Sequence, residues 1–343
     1  MAALFVLLLH YNQSVGGYNF LEIAPFISFG HTGVDVFFIL SGYILSYVYW
    51  QKLSNFSWKG VWNFFVLRFS RIYPAHIVAL TFVVALYLLA KFIFEYSFND
   101  PQNWVPEDLI YSITMTHGWG VTGIGLWNAP SWSVSSEWMA YLIFPFGFPI
   151  LMRLGKALWI AICIILLVSI WWVYGAEGND LSFSFTTSVV IFRILSEFWL
   201  GSIVFLLAGH TRPRISYDVL VIGILLLFAT APIIGLADYE LIMLVPLLII
   251  ALHKCKGPVA SLFSSDFLVF LGRISYSIYI IHFPVNIVLK YAYGLLAISD
   301  MGFLVNSIWY IGMIIVTIIC GWVLHEFVEV PARRAISKRY ASS

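Results

Sequence analysis

The stretch ALWIAICIILLVSIWWVYG, residues 157–175, decides what kind of protein this is. It carries no charge, does not alternate in polarity and is not broken by a proline. A bilayer-spanning helix needs about 20 mostly apolar residues, whereas a membrane strand alternates lipid-facing and lumen-facing side chains. The segment therefore reads as a membrane helix and not as a barrel strand. The whole chain agrees with it: of 343 residues, 61% are hydrophobic, 18% aromatic and 10% charged. A soluble domain is about 25% charged, so the expected fold is all-α, a polytopic membrane helix bundle.

Similar segments lie near 33–50, 74–94, 136–152, 188–209, 217–236, 239–252, 270–291 and 303–326, with a shorter one at 1–11. That makes about ten transmembrane helices. Fourteen of the 18 lysines and arginines fall in 51–73, 153–156, 210–216, 253–269 and the tail after 327. The loops between, 12–32, 95–135, 175–187, 237–238 and 292–302, hold none and carry Glu22, Glu95, Asp100, Glu107, Asp108, Glu177, Asp180, Asp238 and Asp300. Positive loops stay in the cytoplasm, which puts both termini on the cytoplasmic side of the membrane. A single membrane domain over 1–343 is expected, with no appended soluble domain outside. The three cysteines are far apart, so neither a disulfide framework nor a metal site is expected. A net charge of +1 without a basic tract gives no reason to expect nucleic acid.

The first segment, MAALFVLLLHYN, offers only nine apolar residues before His10. That is half of what a span requires, so the chain is expected to begin inside its own first helix.

Ionisable groups inside spans are costly and mark functional positions by default. They are His10, Asp35, Glu137, Arg193, Glu197, Arg273, His282 and Glu326. Arg193 and Glu197, four apart, share a helix face and can pair. Ser275, Tyr279 and His282 recur along one stripe of the ninth span, either as a polar path or as hydrogen bonds between helices. Asp35 is either a helix-terminal charge favoured by the dipole or a catalytic group. Arg68 and Arg71, in RFSRIYP before the third span, satisfy the positive-inside bias. Two guanidinium forks at a helix start also suit a phosphate.

These pieces occur in a fixed order. They are MAALFVLLLH, HTGVDVFFILSGYILS (31–46), RFSRIYPAH (68–76), PSWSVSSEWMAYLIFP (130–145), RILSEFWLGSIVF (193–205), LGRISYSIYIIHFP (271–284) and HEFVEVPARR (325–334). Together they resemble the acyltransferase-3 family of bacterial membrane O-acyltransferases over almost the whole chain. The resemblance implies transfer of an acyl group, usually acetyl, from cytoplasmic acyl-CoA to a sugar hydroxyl outside, with no metal. Acyl transfer to a hydroxyl needs a base for the hydroxyl proton and donors for the oxyanion. His10 matches the family's first-span histidine and is the expected base; the family's arginine, which would fall two positions before Met1, is absent. Glu137 matches a family glutamate that orients the imidazole or binds the acceptor; where relatives often carry a second acid, this chain has Trp138. Asp35 joins the catalytic set. Tyr141 keeps the family's tyrosine, as an acyl relay or as pocket lining. Arg68 and Arg71 gain a reason to clamp the phosphates of coenzyme A. Trp132, Ser133, Tyr279 and His282 are expected to bind substrate, with Trp132 and Trp127 stacking on a sugar. The acceptor class covers exopolysaccharide, O-antigen, peptidoglycan precursor or a small glycoside, reached within the membrane lipid.

Two other readings compete. A multispan transporter of a lipid-linked sugar would share the spans and the midplane charges, but it lacks an inverted repeat and leaves the arginines without a task. An inactive truncated member would follow from the missing first-span arginine.

Overall fold

The computed structural model describes residues 2–15, 24–94, 104–121, 127–176, 188–209 and 216–340. The loop charges Glu22, Glu95, Asp100, Glu177, Asp180, Arg212 and Arg214 lie outside them. The described residues form a helical bundle without a strand. Its elements are α1 (Ala2–Ser14), α2 (Gly33–Tyr49), α3 (Trp58–Phe92), α4 (Pro106–Ile113), α5 (Trp132–Met152), α6 (Lys156–Ala176) and α7 (Ser188–Ala208). They continue with α8 (Tyr217–Ile234), α9 (Asp238–Lys254), the short α10 (Pro258–Phe263), α11 (Asp266–Leu295), α12 (Gly302–Leu324) and α13 (Val330–Tyr340).

Eight helical segments are long and apolar enough to cross a membrane. The chain is thus a multi-pass membrane protein. Of the ten expected spans, the two that fall short are α1, of 13 residues, and α9, of 17 residues. Segments with few buried residues face outward: Lys156–Val173 is 11% buried and Tyr217–Ile234 17%, against 61% for Ala129–Met152 and Val190–Ala208. The inner helices are the ones that carry the polar residues. Rings of Phe64, Phe144, Phe148 and Phe198, all fully buried, knit α3, α5 and α7 together.

The third span differs from its expected limits. The sequence places it at 74–94, with Arg68 and Arg71 at the end of the loop before it, and proline disfavours a helix interior. Instead α3 runs 35 residues through Pro74 and is capped well before Arg68 at Ser57, whose hydroxyl accepts from the Gly60 amide. In a membrane an unwound backbone would leave more groups unpaired than the single bond that proline removes, and neighbours can compensate. The bond that Pro74 removes is the one to the Ser70 carbonyl; two residues on, Tyr276 of α11 donates to the Ile72 carbonyl at 2.5 Å and braces α3 there. The arginines therefore project from a helix interior and have no helix-terminal dipole to assist them.

The tightest contact joins α2 and α7. A methyl group at Gly42 would stand 1.8 Å from the Phe198 carbonyl oxygen, and one at Gly201 would stand 1.9 Å from that of Ile39. Small residues let membrane helices approach to backbone contact, where packing rather than water exclusion holds them.

Candidate active site

His10 sits on α1 above a turn of buried Val6, Leu7 and Leu9. Its Nδ1 lies 2.8 Å from Nε2 of His282 on α11, and the rings stack with centroids 5.1 Å apart. The other nitrogen of His282, Nδ1, is 2.5 Å from the Tyr279 carbonyl. A carbonyl only accepts, so Nδ1 of His282 carries the proton and, in the neutral ring, Nε2 accepts. His10 must then donate from Nδ1, which leaves its Nε2 as an unprotonated lone pair. The arrangement fixes a tautomer with a base at Nε2 of His10. The backbone around it is anchored: Ser14 donates to the His10 carbonyl at 2.9 Å, Asn286 donates to Ser14 at 2.8 Å, and Tyr11 bonds Thr317 of α12.

The ring of Tyr279, one turn before His282, reaches α5. Its hydroxyl lies 2.7 Å from that of Ser133 and donates to the Pro130 carbonyl at 2.9 Å. Asn128 donates to the Ile280 carbonyl at 3.1 Å and closes the same corner.

A second polar cluster lies one turn further along α5. Glu137, 1% exposed, accepts at Oε1 from Ser41 at 2.6 Å and from Tyr141. The hydrogen bonds of Glu137 thus go to α2 and to its own helix, while the His10 ring is oriented by His282. Glu137 Oε2 is buried without a hydrogen bond among the described residues. These groups line a cavity of about 280 Å³ together with Arg68 and Arg71. Arg68 lies over the Tyr49 ring at 5.5 Å and donates to its hydroxyl at 3.3 Å. A second cavity, about 260 Å³, shares Phe37, Leu40, Ile44 and Arg71 with the first and extends to Ser133 and Tyr279. Arg71 thus borders both cavities, and the second reaches Ser133 and Tyr279, the latter packed beside His282.

Three expected site residues, Asp35, Trp132 and Trp127, make contacts away from the histidines. Asp35, fully buried, takes Nη2 of Arg193 at 2.5 Å, and Glu197 lies 3.5 Å from Arg193 Nε. The pair foreseen between Arg193 and Glu197 is thus shared with Asp35, which binds α2 to α7. Trp132 is 6% exposed and Trp127 4%. Trp132 packs on Phe38 at 6.4 Å and Trp127 on Tyr87 at 5.0 Å. Both indoles are thus buried among aromatic neighbours. The sequence reading missed Ser41 and Asn128. Ser41 had a signal in the GVDVFFILSG motif, where it falls one turn after Phe37 on the cavity side of α2.

Outside the spans, Nε2 of His117 lies 2.9 Å from the Ser131 hydroxyl, and the ring stacks on His76 with centroids 5.9 Å apart. Burial, and then the charge of His76, lowers its pKa to about 3. It fastens the loop before α5 to α3.

Comparison with known proteins gives one family: residues 1–326 match the model of the acyltransferase-3 family, described as an acyltransferase domain. The chain is 28% identical over 342 residues to "Acyltransferase MdmB" of Streptomyces mycarofaciens, covering 90% of this chain and 82% of that one. It is 26% identical over 289 residues to "Putative O-acetyltransferase SACOL0978" of Staphylococcus aureus (strain COL), covering 75% of this chain and 46% of that one. The chain thus spans under half the length of that staphylococcal relative. No solved structure matches it.

Proposed function

Because the chain belongs to the acyltransferase-3 family and is an O-acyltransferase, we propose that it moves an acetyl group from cytoplasmic acetyl-CoA to a hydroxyl of an extracytoplasmic or lipid-linked carbohydrate. The observation that carries this reading is the free Nε2 of His10, set by the 2.8 Å contact of Nδ1 with His282. Nε2 takes the acceptor's hydroxyl proton as its oxygen attacks the thioester carbonyl. The C–S bond then breaks, and coenzyme A leaves as a thiol with the proton returned by His10. The His10 imidazolium formed in between keeps its Nδ1–H on His282, which therefore acts by holding the tautomer and orientation.

Arg68 and Arg71 hold the donor's phosphates, for which guanidinium forks are suited. The open oxygen of Glu137 accepts an amide N–H of the donor's arm, and Tyr141 and Ser41 hold that carboxylate in place. Ser133 and Tyr279 contact substrate in the second cavity, which they line, and Trp132 supports Ser133 from behind through its packing on Phe38. Asp35 acts through the position of α2. Both termini lie in the cytoplasm in this reading, which rests on the loop charges.

Labelled acetyl-CoA presented to the protein in vesicles with a bacterial glycan pool tests the assignment. Acetyl label in the glycan is the expected result. Absence of label, with a lipid-linked sugar changing leaflet, would select the transporter instead.

A further inference from the structure

A third cavity, of about 410 Å³, lies between the ends of α2, α7 and α9 and the start of α6. This size falls in the range of roughly 300–1,000 Å³ typical of small-molecule sites. Tyr43, Tyr47 and Trp50 border it from α2 and Phe205 from α7, with His253 and Lys254 at the end of α9. None of them belongs to the two cavities of the transfer site.

We propose that this cavity binds the adenine nucleotide end of the acyl-CoA donor, while Arg68 and Arg71 hold the phosphates that lead to the arm; the inference rests on the acyl-CoA reading above. The first argument is position. Val48 lines the arginine cavity and Tyr49 carries the hydroxyl that meets Arg68, whereas Tyr47 and Trp50 face the third cavity. The two sites flank the last turn of one helix, a separation of about 10–12 Å.

The second argument is chemistry. The His253 ring stands edge-on to Tyr43 and Tyr47, at 5.8 Å from each, and Phe205 is edge-on to Tyr43 at 5.8 Å. A flat heteroaromatic ring gains stacking among such groups. Aromatic side chains at a membrane interface are ordinary, and that accounts for Tyr47 and Trp50, which are 57% and 47% exposed. It does not account for Tyr43. That residue is 5% exposed, and its buried hydroxyl has no hydrogen bond among the described residues. A phenol both donates and accepts, so it can meet the amino group or a ring nitrogen of adenine. Lys254 adds a positive charge for a ribose phosphate.

The experiment compares acetyl-CoA with acetyl-pantetheine, which has the arm and thioester but no nucleotide. Tyr43→Phe keeps the ring and the packing, and Tyr47→Ala alters an exposed side chain, so both variants should fold; thermal unfolding of the purified proteins checks this. The KM for acetyl-CoA is expected to rise about tenfold in Tyr47→Ala and about threefold in Tyr43→Phe, with the KM for acetyl-pantetheine unchanged. By calorimetry, adenosine 3′,5′-bisphosphate should bind the wild type and bind Tyr47→Ala about tenfold more weakly. Equal changes for both donors, no change for either, or no binding of the bisphosphate would overturn the proposal. An equal loss for both donors that added phospholipid restores would assign the cavity to a lipid. Absence of transfer from either donor by the wild type would remove the acyl-CoA reading itself, while bisphosphate binding would still report on the cavity.

Discussion

Nδ1 of His10 and Nε2 of His282 lie 2.8 Å apart although 272 residues separate them in the chain. The Tyr279 carbonyl holds the proton of His282 on its other nitrogen, so the direction of the hydrogen bond between the rings follows. A single carbonyl thereby decides which nitrogen of His10 is basic. The His10 ring is oriented without a carboxylate, and Glu137 remains with Ser41 and Tyr141.

Replacing Arg68 or Arg71 with Gln should weaken donor binding and leave the chemistry intact. A hydrogen bond to a charged group contributes about 1.5–3 kcal/mol, so each change should raise the KM for acetyl-CoA roughly tenfold to a hundredfold. The turnover number at saturating donor should hold. Steady-state kinetics in vesicles at varied acetyl-CoA check this.

Asp35 and Arg193 form a buried pair at 2.5 Å. Removing one partner of such a pair costs about 3–5 kcal/mol, whereas replacing both with apolar residues is often neutral. In a Glu197→Gln background, which leaves no second buried carboxylate on Arg193, Asp35→Leu alone should therefore unfold at much lower temperature than Asp35→Leu combined with Arg193→Met. If Asp35 acts only by holding α2, the double variant should also recover acyl transfer. A stable but inactive double variant would give Asp35 a direct part in the reaction.

Gly42→Ala and Gly201→Ala should each destabilise the bundle, because the added methyl meets a carbonyl oxygen at 1.8 Å and 1.9 Å. Overpacking costs about 1–3 kcal/mol. Gly223→Ala on α8 meets nothing within 4 Å and should be neutral or slightly stabilising, since alanine favours a helix by about 1 kcal/mol. Thermal unfolding in detergent separates the three.

The loop anchor at His117 gives the stability a pH dependence. Burial lowers its pKa from 6.5 to about 3, so below 6.5 the unfolded chain takes up a proton that the folded chain refuses. This contribution is intact above pH 6.5. It is lost at about 1.4 kcal/mol per pH unit as the pH falls toward 3. Between pH 6.5 and 5, His117→Gln should lose less thermal stability than the wild type. Equal slopes for the two proteins would contradict this account of the anchor.

The helical class was legible in 157–175 because a bilayer leaves few alternatives for an uncharged run of that length. His10, Glu137 and His282 were legible because ionisable groups are conspicuous in apolar helices. Partners were not. The contacts His10–His282 and Asp35–Arg193 join helices far apart in the chain, and periodicity within one helix cannot report them. The course of α3 through Pro74 was hidden because the local rule for proline was outweighed by the demand for paired backbone. The contact of Trp132 with Phe38 was hidden because α2 and α5 are far apart in the chain.

The central claim is that His10 is the base and that His282 holds it in the active tautomer. Acceptor-stimulated release of coenzyme A from acetyl-CoA, measured in vesicles for wild type, His10→Ala, His282→Ala and His282→Gln, tests it most directly. General base catalysis contributes about 10²–10⁴-fold, so His10→Ala should lose at least a hundredfold in turnover with its KM for acetyl-CoA unchanged. His282→Ala should fall nearly as far. His282→Gln, whose amide oxygen can still accept from Nδ1, should recover part of the loss. Undiminished release in His10→Ala would contradict the account.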